Sequence, residues 1–181
     1  MQNFLSGLLS REKADGARWV VAGSTHEGEE ELVLRAFLAA RKVNPAMKLL
    51  LAPRHPERFG TVEALLAREG VESVRRTALP ANALSAGAPV LLLDSVGELA
   101  GAYAAAELAF VGGSLVPVGG HNVLEPALAG LPVLFGPHIF NFEEAGRRLE
   151  EAGGAARVAD EDELARRVGD LLEDSERARR M

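Results

Sequence analysis

The densest chemical signal in the chain is the run Gly112-Gly113-Ser114-Leu115-Val116-Pro117-Val118-Gly119-Gly120-His121-Asn122. A glycine pair lets the backbone turn beside a ligand with no side chain in the way. Gly119-Gly120 leads into a helix start whose first amides have no intrahelical partner, a setting that suits an anion. Asn122 and Glu125 stand three apart. They read as a capping pair, or Glu125, one turn in, accepts two hydrogen bonds from vicinal ribose hydroxyls. Pro126 fits only near a helix start. Arg54, between an apolar run and a helix start, suits a phosphate, and the bland alternative is an ion pair with Glu57. Val96-Gly97 allows a planar base to lie against backbone. Ser24 and Thr25 offer hydroxyls, although Ser24 and Glu27 are also spaced as a capping box. Glu29, Glu30 and Glu31 then read as ordinary first-turn acids. Gly112, Gly113, Ser114, Gly120 and His121 complete the candidate ligand contacts.

Other chemistries are excluded. Gly23 to Gly28 has the spacing of a phosphate-binding P-loop, but Glu29-Glu30 stand where lysine and a hydroxyl residue are needed. Asp94 has no second acid after the first apolar run and reads as a turn or cap residue. His121 and His138 lack a partner at metal-ligand spacing, so hydrogen bonding is expected and no metal. With no cysteine there is neither a disulfide scaffold nor a thiolate site. A net charge of −6 argues against a nucleic-acid partner. The longest apolar stretches fall far short of the roughly 20 residues a membrane span needs. No secretory leader is expected at the start. Arg58 reads as a solvated helix residue, and Trp19 and Tyr103 as packing residues.

These residues need a frame that brings them together. Short apolar runs at Trp19–Ala22, Met47–Ala52, Val71–Arg76, Pro89–Leu93, Leu108–Val111 and Leu131–Phe135 read as strands, with Ala156–Val158 as a possible edge. Helical spacing lies between them, over Glu29–Arg41, Pro56–Glu69, Glu98–Ala106, Asn122–Ala129 and Phe142–Ala152, and a charged helix over Glu161–Arg179 ends the chain. Leu79–Ala88 reads as a loop, and Met1–Gly16 as a polar, weakly patterned start. Strands alternating with helices imply right-handed crossovers. The expected fold is therefore α/β: a Rossmann-like, doubly wound, mainly parallel six-stranded sheet with helices on both faces. In such a sheet ligands bind outside the carboxyl ends of the strands, and all four histidines and the glycine-rich runs fall there.

Taken in order, Ser24-Thr25-His26-Glu27-Gly28-Glu29-Glu30, Pro53-Arg54-His55-Pro56-Glu57-Arg58, Gly97-Glu98-Leu99, Gly112-Gly113-Ser114, Gly119-Gly120-His121-Asn122-Val123-Leu124-Glu125-Pro126 and Asn141-Phe142 resemble the C-terminal domain of the 3-deoxy-D-manno-octulosonic acid (Kdo) transferases. This is the donor-binding half of a GT-B glycosyltransferase, and the likeness runs from about Trp19 to the end. The resemblance implies inverting, metal-independent transfer of Kdo from CMP-Kdo to a lipid A precursor, at the cytoplasmic face of the inner membrane. It implies no cofactor. Carried residue by residue, it places CMP against Pro53-Arg54, Val96-Gly97-Glu98 and Asn122-Val123-Leu124-Glu125. It also implies that the catalytic base and the acceptor site lie in an N-terminal domain outside this chain, so no catalytic residue is assigned here. On that reading residues 1–16 are an interdomain connection and 17–181 the nucleotide-sugar-binding domain, which binds nucleotide but does not transfer sugar alone. Two alternatives stand beside it: a GT-B-like sugar-nucleotide epimerase domain, which would prefer a uridine nucleotide, and a non-enzymatic α/β interaction module whose rim glycines serve only turns.

Overall fold

A computed structural model describes residues 4–79 and 87–181; of the loop expected over Leu79–Ala88, residues 80–86 lie outside them. Strand β1, Arg18–Thr25, forms the middle of the sheet. It pairs in parallel with β2, Met47–Pro53, on one side and with β5, Leu108–Val111, on the other. Beyond β2 lie β4, Val90–Leu92, and then β3, Ser73–Arg75. Beyond β5 lie β6, Val133–Phe135, and β7, Ala155–Arg157. The order is β3-β4-β2-β1-β5-β6-β7, and every pairing is parallel. The sheet therefore has seven strands, one more than expected. The possible edge at Ala156–Val158 is a paired strand one residue earlier, with Ala156 opposite Leu134.

Near-continuous apolar strands allow burial on both faces, and alternate residues divide between two cores. Val20, Ala22, Leu49, Leu51, Val90, Leu92 and Phe110 face α2, Glu29–Val43, α3, Phe59–Arg68, and α7, Glu161–Glu173. Trp19, Val21, Leu50, Ala52, Leu91 and Ala109 face the other way, against α1, Phe4–Ala14, and α4, Leu99–Tyr103. A third cluster joins Val111, Val133 and Phe135 to Ile139 and to α6, Glu143–Glu151. Trp19 and Tyr103 are buried packing residues, as expected.

Two local readings change. The opening segment is helical and well packed. Leu5, Leu8 and Leu9 have no exposed surface and join the second core, and buried Glu12 pairs with Lys48 at 2.7 Å. The terminal helix is two: Asp174 leaves the helical region, ending α7, and α8 covers Ser175–Arg180.

Candidate ligand site at the carboxyl rim

Because the strands are all parallel, their carboxyl ends share one rim. Connections from β1 run toward β2, while those from β5 run toward β6, so the chain direction reverses between β1 and β5. That is where an open α/β sheet leaves a crevice. The turns after these two strands touch closely. A Cβ on Gly112 would lie 2.5 Å from the Ser24 carbonyl oxygen and 2.7 Å from the Thr25 Cα, so only glycine fits. Ser24 takes a left-handed conformation at φ 58°, a strained geometry for a residue with a side chain, at a register irregularity in β1.

Glu29 holds this junction. Its carboxylate, wholly buried, accepts hydrogen bonds from the amides of Gly113 at 2.6 Å, Ser114 at 3.0 Å and Leu115 at 2.9 Å, and from His26 at 3.2 Å. Burial raises its pKa, and the four backbone donors work against that rise. Three expectations are corrected here. There is no Ser24–Glu27 capping box: α2 starts after Gly28, at φ 80°, with no side-chain cap, and Glu27 is exposed. Glu29 and Glu30 are not ordinary first-turn acids, since Glu30 is also buried and pairs with Arg58 at 3.1 Å. The amides of Gly113 and Ser114 are taken by Glu29 and are not open to a ligand.

The hydroxyls resolve differently. Thr25 is fully buried, with its Oγ1 3.4 Å from Glu30. Ser114 is also fully buried; its hydroxyl donates to the Val111 carbonyl and accepts from the Gly136 amide at 2.8 Å. Both side chains therefore serve the fold. Ser24 is half-buried and lines a cavity of 280 Å³ together with Pro53, Arg54, Pro56, Val96, Gly97 and Leu99. Residues far apart in sequence and singled out for phosphate and base thus line one hollow. Arg54 is exposed and makes no carboxylate ion pair among the described residues; Glu57 stands near His55 instead. The Arg54 amide donates to the Thr25 carbonyl, fixing the turn after β2 to that after β1. Arg58, by contrast, is largely covered and structural, not solvated.

Val96 is 82% exposed over this hollow, and Gly97 has φ 85°. Glu98 does not face the cavity. Its carboxylate binds Arg76 at 3.0 Å and the Ser95 hydroxyl, shaping the turn after β4. Asp94 is structural, accepting from the Thr77 amide at 2.9 Å. On the far side, Glu125 lies close enough to the buried Tyr103 hydroxyl to help burial raise its pKa. That hydroxyl sits where a side chain on Gly23 would be, and Leu99, which also packs there, lines the cavity. Tyr103 and Glu125 do not themselves line the cavity. The helix carrying Glu125 is α5, Leu124–Leu128, shorter than expected and without a side-chain cap on its N-cap residue Val123, while Asn122 just before it accepts from the Leu124 amide at 3.1 Å. Val123 is buried and Leu124 is 43% exposed. Gly119 and Gly120, with φ 110° and 74°, press against Phe140 and Ile139. The Gly120 amide bonds back to the Gly113 carbonyl at 2.8 Å, so it too is engaged.

Three histidines, which the sequence left apart, form a group beside Arg54. His26 and His121 approach Nε2 to Nε2 at 2.7 Å with rings 8° from parallel, and His55 stands edge-on to His26 with ring centres 5.2 Å apart. Burial first, then neighbouring His55, Arg54 and Arg58, lowers the His26 pKa. Burial, then His26, Arg54 and His55, lowers that of His121 to about 4. Among the described residues no cluster of His, Asp and Glu could hold a metal ion. A larger hollow of 660 Å³ runs along α6 between Leu124 and Leu149. Glu143 and Glu144 line it, and its Arg148 is already paired to Glu144 at 2.6 Å, so chemistry favours the smaller one for a phosphate.

Fold and rim define one Rossmann-like half of a GT-B glycosyltransferase fold. No family model matches the chain. The 3-deoxy-D-manno-octulosonic acid transferase of Haemophilus influenzae is 44% identical over 98% of the chain, which spans 41% of that relative's length. The crystal structure of the C-terminal CMP-Kdo binding domain of WaaA from Acinetobacter baumannii superposes with a TM-score of 0.86 at 30% identity, covering 95% of this chain and 89% of that one. A putative UDP-N-acetylglucosamine 2-epimerase from Listeria monocytogenes shares the fold, with a TM-score of 0.61 at 14% identity over all of this chain and 41% of its own. The chain belongs to the Kdo transferase family and corresponds to its C-terminal domain.

Proposed function

We propose that this domain binds CMP-Kdo and forms the donor half of an enzyme that transfers Kdo to a lipid A precursor. The observation that carries the reading is the hollow shared by Ser24, Pro53, Arg54, Val96 and Gly97, in a chain that matches a named CMP-Kdo binding domain almost end to end. In it the Arg54 guanidinium meets the phosphate and neutralises charge as CMP departs. Val96 and Gly97 offer an exposed apolar side chain and an open backbone to cytosine. Glu125 accepts from the ribose hydroxyls across the crevice. Glu98, Asn122, Val123 and Leu124 shape the turns that present these groups. The base and acceptor site belong to an N-terminal domain, joined near residues 1–16, that brings the whole enzyme to the cytoplasmic face of the inner membrane. The domain, with α1 packed into its second core, binds nucleotide and does not transfer sugar alone.

Glu125→Ala tests the ribose contact. A carboxylate accepting two hydroxyl donors contributes on the order of 1.5–3 kcal/mol, so CMP affinity by calorimetry should fall roughly tenfold or more. Equal affinity in variant and wild type removes Glu125 from the site.

A further inference from the structure

We infer that His26 and His121, with His55 and Arg54 beside them, form a second anion subsite that receives the sugar carboxylate of the donor and gains a proton as it arrives. The inference rests on the CMP-Kdo reading above and extends it to groups outside the nucleotide hollow. An ulosonic acid carries its carboxylate on the carbon that bears the phosphate oxygen in the nucleotide sugar. The donor thus presents two anions separated by a single carbon. A phosphate at Arg54 leaves the carboxylate in need of a partner close by, and the histidine group stands next to Arg54.

Its construction points to a site instead of core filler. His26 and His121 are half-buried at an open rim, and His55 is exposed. A side chain on Gly113 would crowd both paired rings, 3.2 Å from the Cδ2 of His121 and 3.3 Å from that of His26, and φ 67° favours glycine at this turn. That turn is held by Glu29 through the Gly113 amide. The surrounding charges favour an anion. Arg54 and Arg58 come from the turn after β2. Glu29 is spent on amides, Glu27 and Glu30 face Arg58, and Glu57 faces His55. After burial, the charges that act on the two rings are those of His55, Arg54 and Arg58, and that of His26 on His121.

Two neutral imidazoles bonded Nε2 to Nε2 share one of their two N–H groups between themselves, so only one N–H, on a single Nδ1, is left for a ligand. A proton from solvent on the bare Nδ1 gives a second such donor and a positive charge. A carboxylate stabilises that form, so binding takes up a proton and strengthens as pH falls.

The test titrates this chain with CMP-Kdo and with the methyl phosphodiester of CMP, which keeps the phosphodiester and lacks the carboxylate. Calorimetry at pH 6, 7 and 8, in two buffers of different ionisation enthalpy, reads affinity and protons together. For CMP-Kdo the expected result is uptake of about half a proton averaged over this range, and so an affinity about tenfold higher at pH 6 than at pH 8. The methyl diester should show neither. In His26→Asn and His121→Asn, confirmed as folded by their melting curves, CMP-Kdo should drop to the diester's affinity and lose its pH dependence. His55→Asn, at an exposed ring, should weaken CMP-Kdo more than the diester. A flat CMP-Kdo profile with no proton uptake in the wild type overturns the inference. So does a diester that shows the same pH dependence, which assigns the pair to phosphate. If neither cytidine compound binds at any pH, the nucleotide reading itself fails.

Discussion

Glu29→Ala is expected to destabilise the domain by about 3–5 kcal/mol, because four backbone N–H groups lose their shared acceptor in a site closed to solvent. Such donors cannot pair elsewhere without opening the junction of the β1 and β5 turns, where Gly112 already sits against Ser24 and Thr25. Against a domain stability of about 5–15 kcal/mol, this is a large fraction. At roughly 2–4 °C per kcal/mol for a chain this size, the melting temperature should fall by about 6–20 °C. Glu29→Gln separates shape from charge. Its one carbonyl oxygen can keep two of the four donors, while its amide group faces the other two, so an intermediate loss is expected. Thermal and urea denaturation followed by circular dichroism checks both. A loss below about 1 kcal/mol for Glu29→Ala would show that the junction holds without its carboxylate.

Arg54→Gln is expected to weaken CMP binding by about 10–100-fold, the range for losing charge-assisted hydrogen bonds to a phosphate. Its guanidinium is exposed and has no carboxylate partner among the described residues, so the melting temperature without ligand should hardly move. That contrast separates a binding role from a folding one. Arg54→Lys keeps the charge but loses the planar fork, and should recover only part of the affinity. Calorimetry on all three proteins reads the result. Affinities within twofold of one another would place the phosphate elsewhere.

The alternation of apolar runs and helical spacing was enough to place β1, β2, β4, β5 and β6, because strands buried on both faces need no partner knowledge to be recognised. The gathering of Arg54 with Val96 and Gly97 also followed, since parallel strands carry every post-strand turn to one rim. What escaped depends on contacts distant in the chain. Glu29 looks like any first-turn acid until the turn after β5, more than 80 residues on, brings amides to it. The pairing of His26 with His121 spans 95 residues and leaves no local pattern. Glu98 was expected to touch the nucleotide, but its carboxylate is taken by Arg76, at the end of a different strand. Helix α1 was missed because Leu5, Leu8 and Leu9 are set among polar residues, and the groove that buries them exists only once α4 has packed.

A nucleotide panel read by thermal shift and calorimetry tests the central claim most directly. With this chain, CMP should bind in preference to UMP and UDP. At a hundred times its dissociation constant it should add about 2.7 kcal/mol of stability, a readily seen rise in melting temperature. Preference for UMP or UDP would favour an epimerase-like site, and no stabilisation by any of the three would leave a rim that binds no nucleotide, either of which contradicts the account.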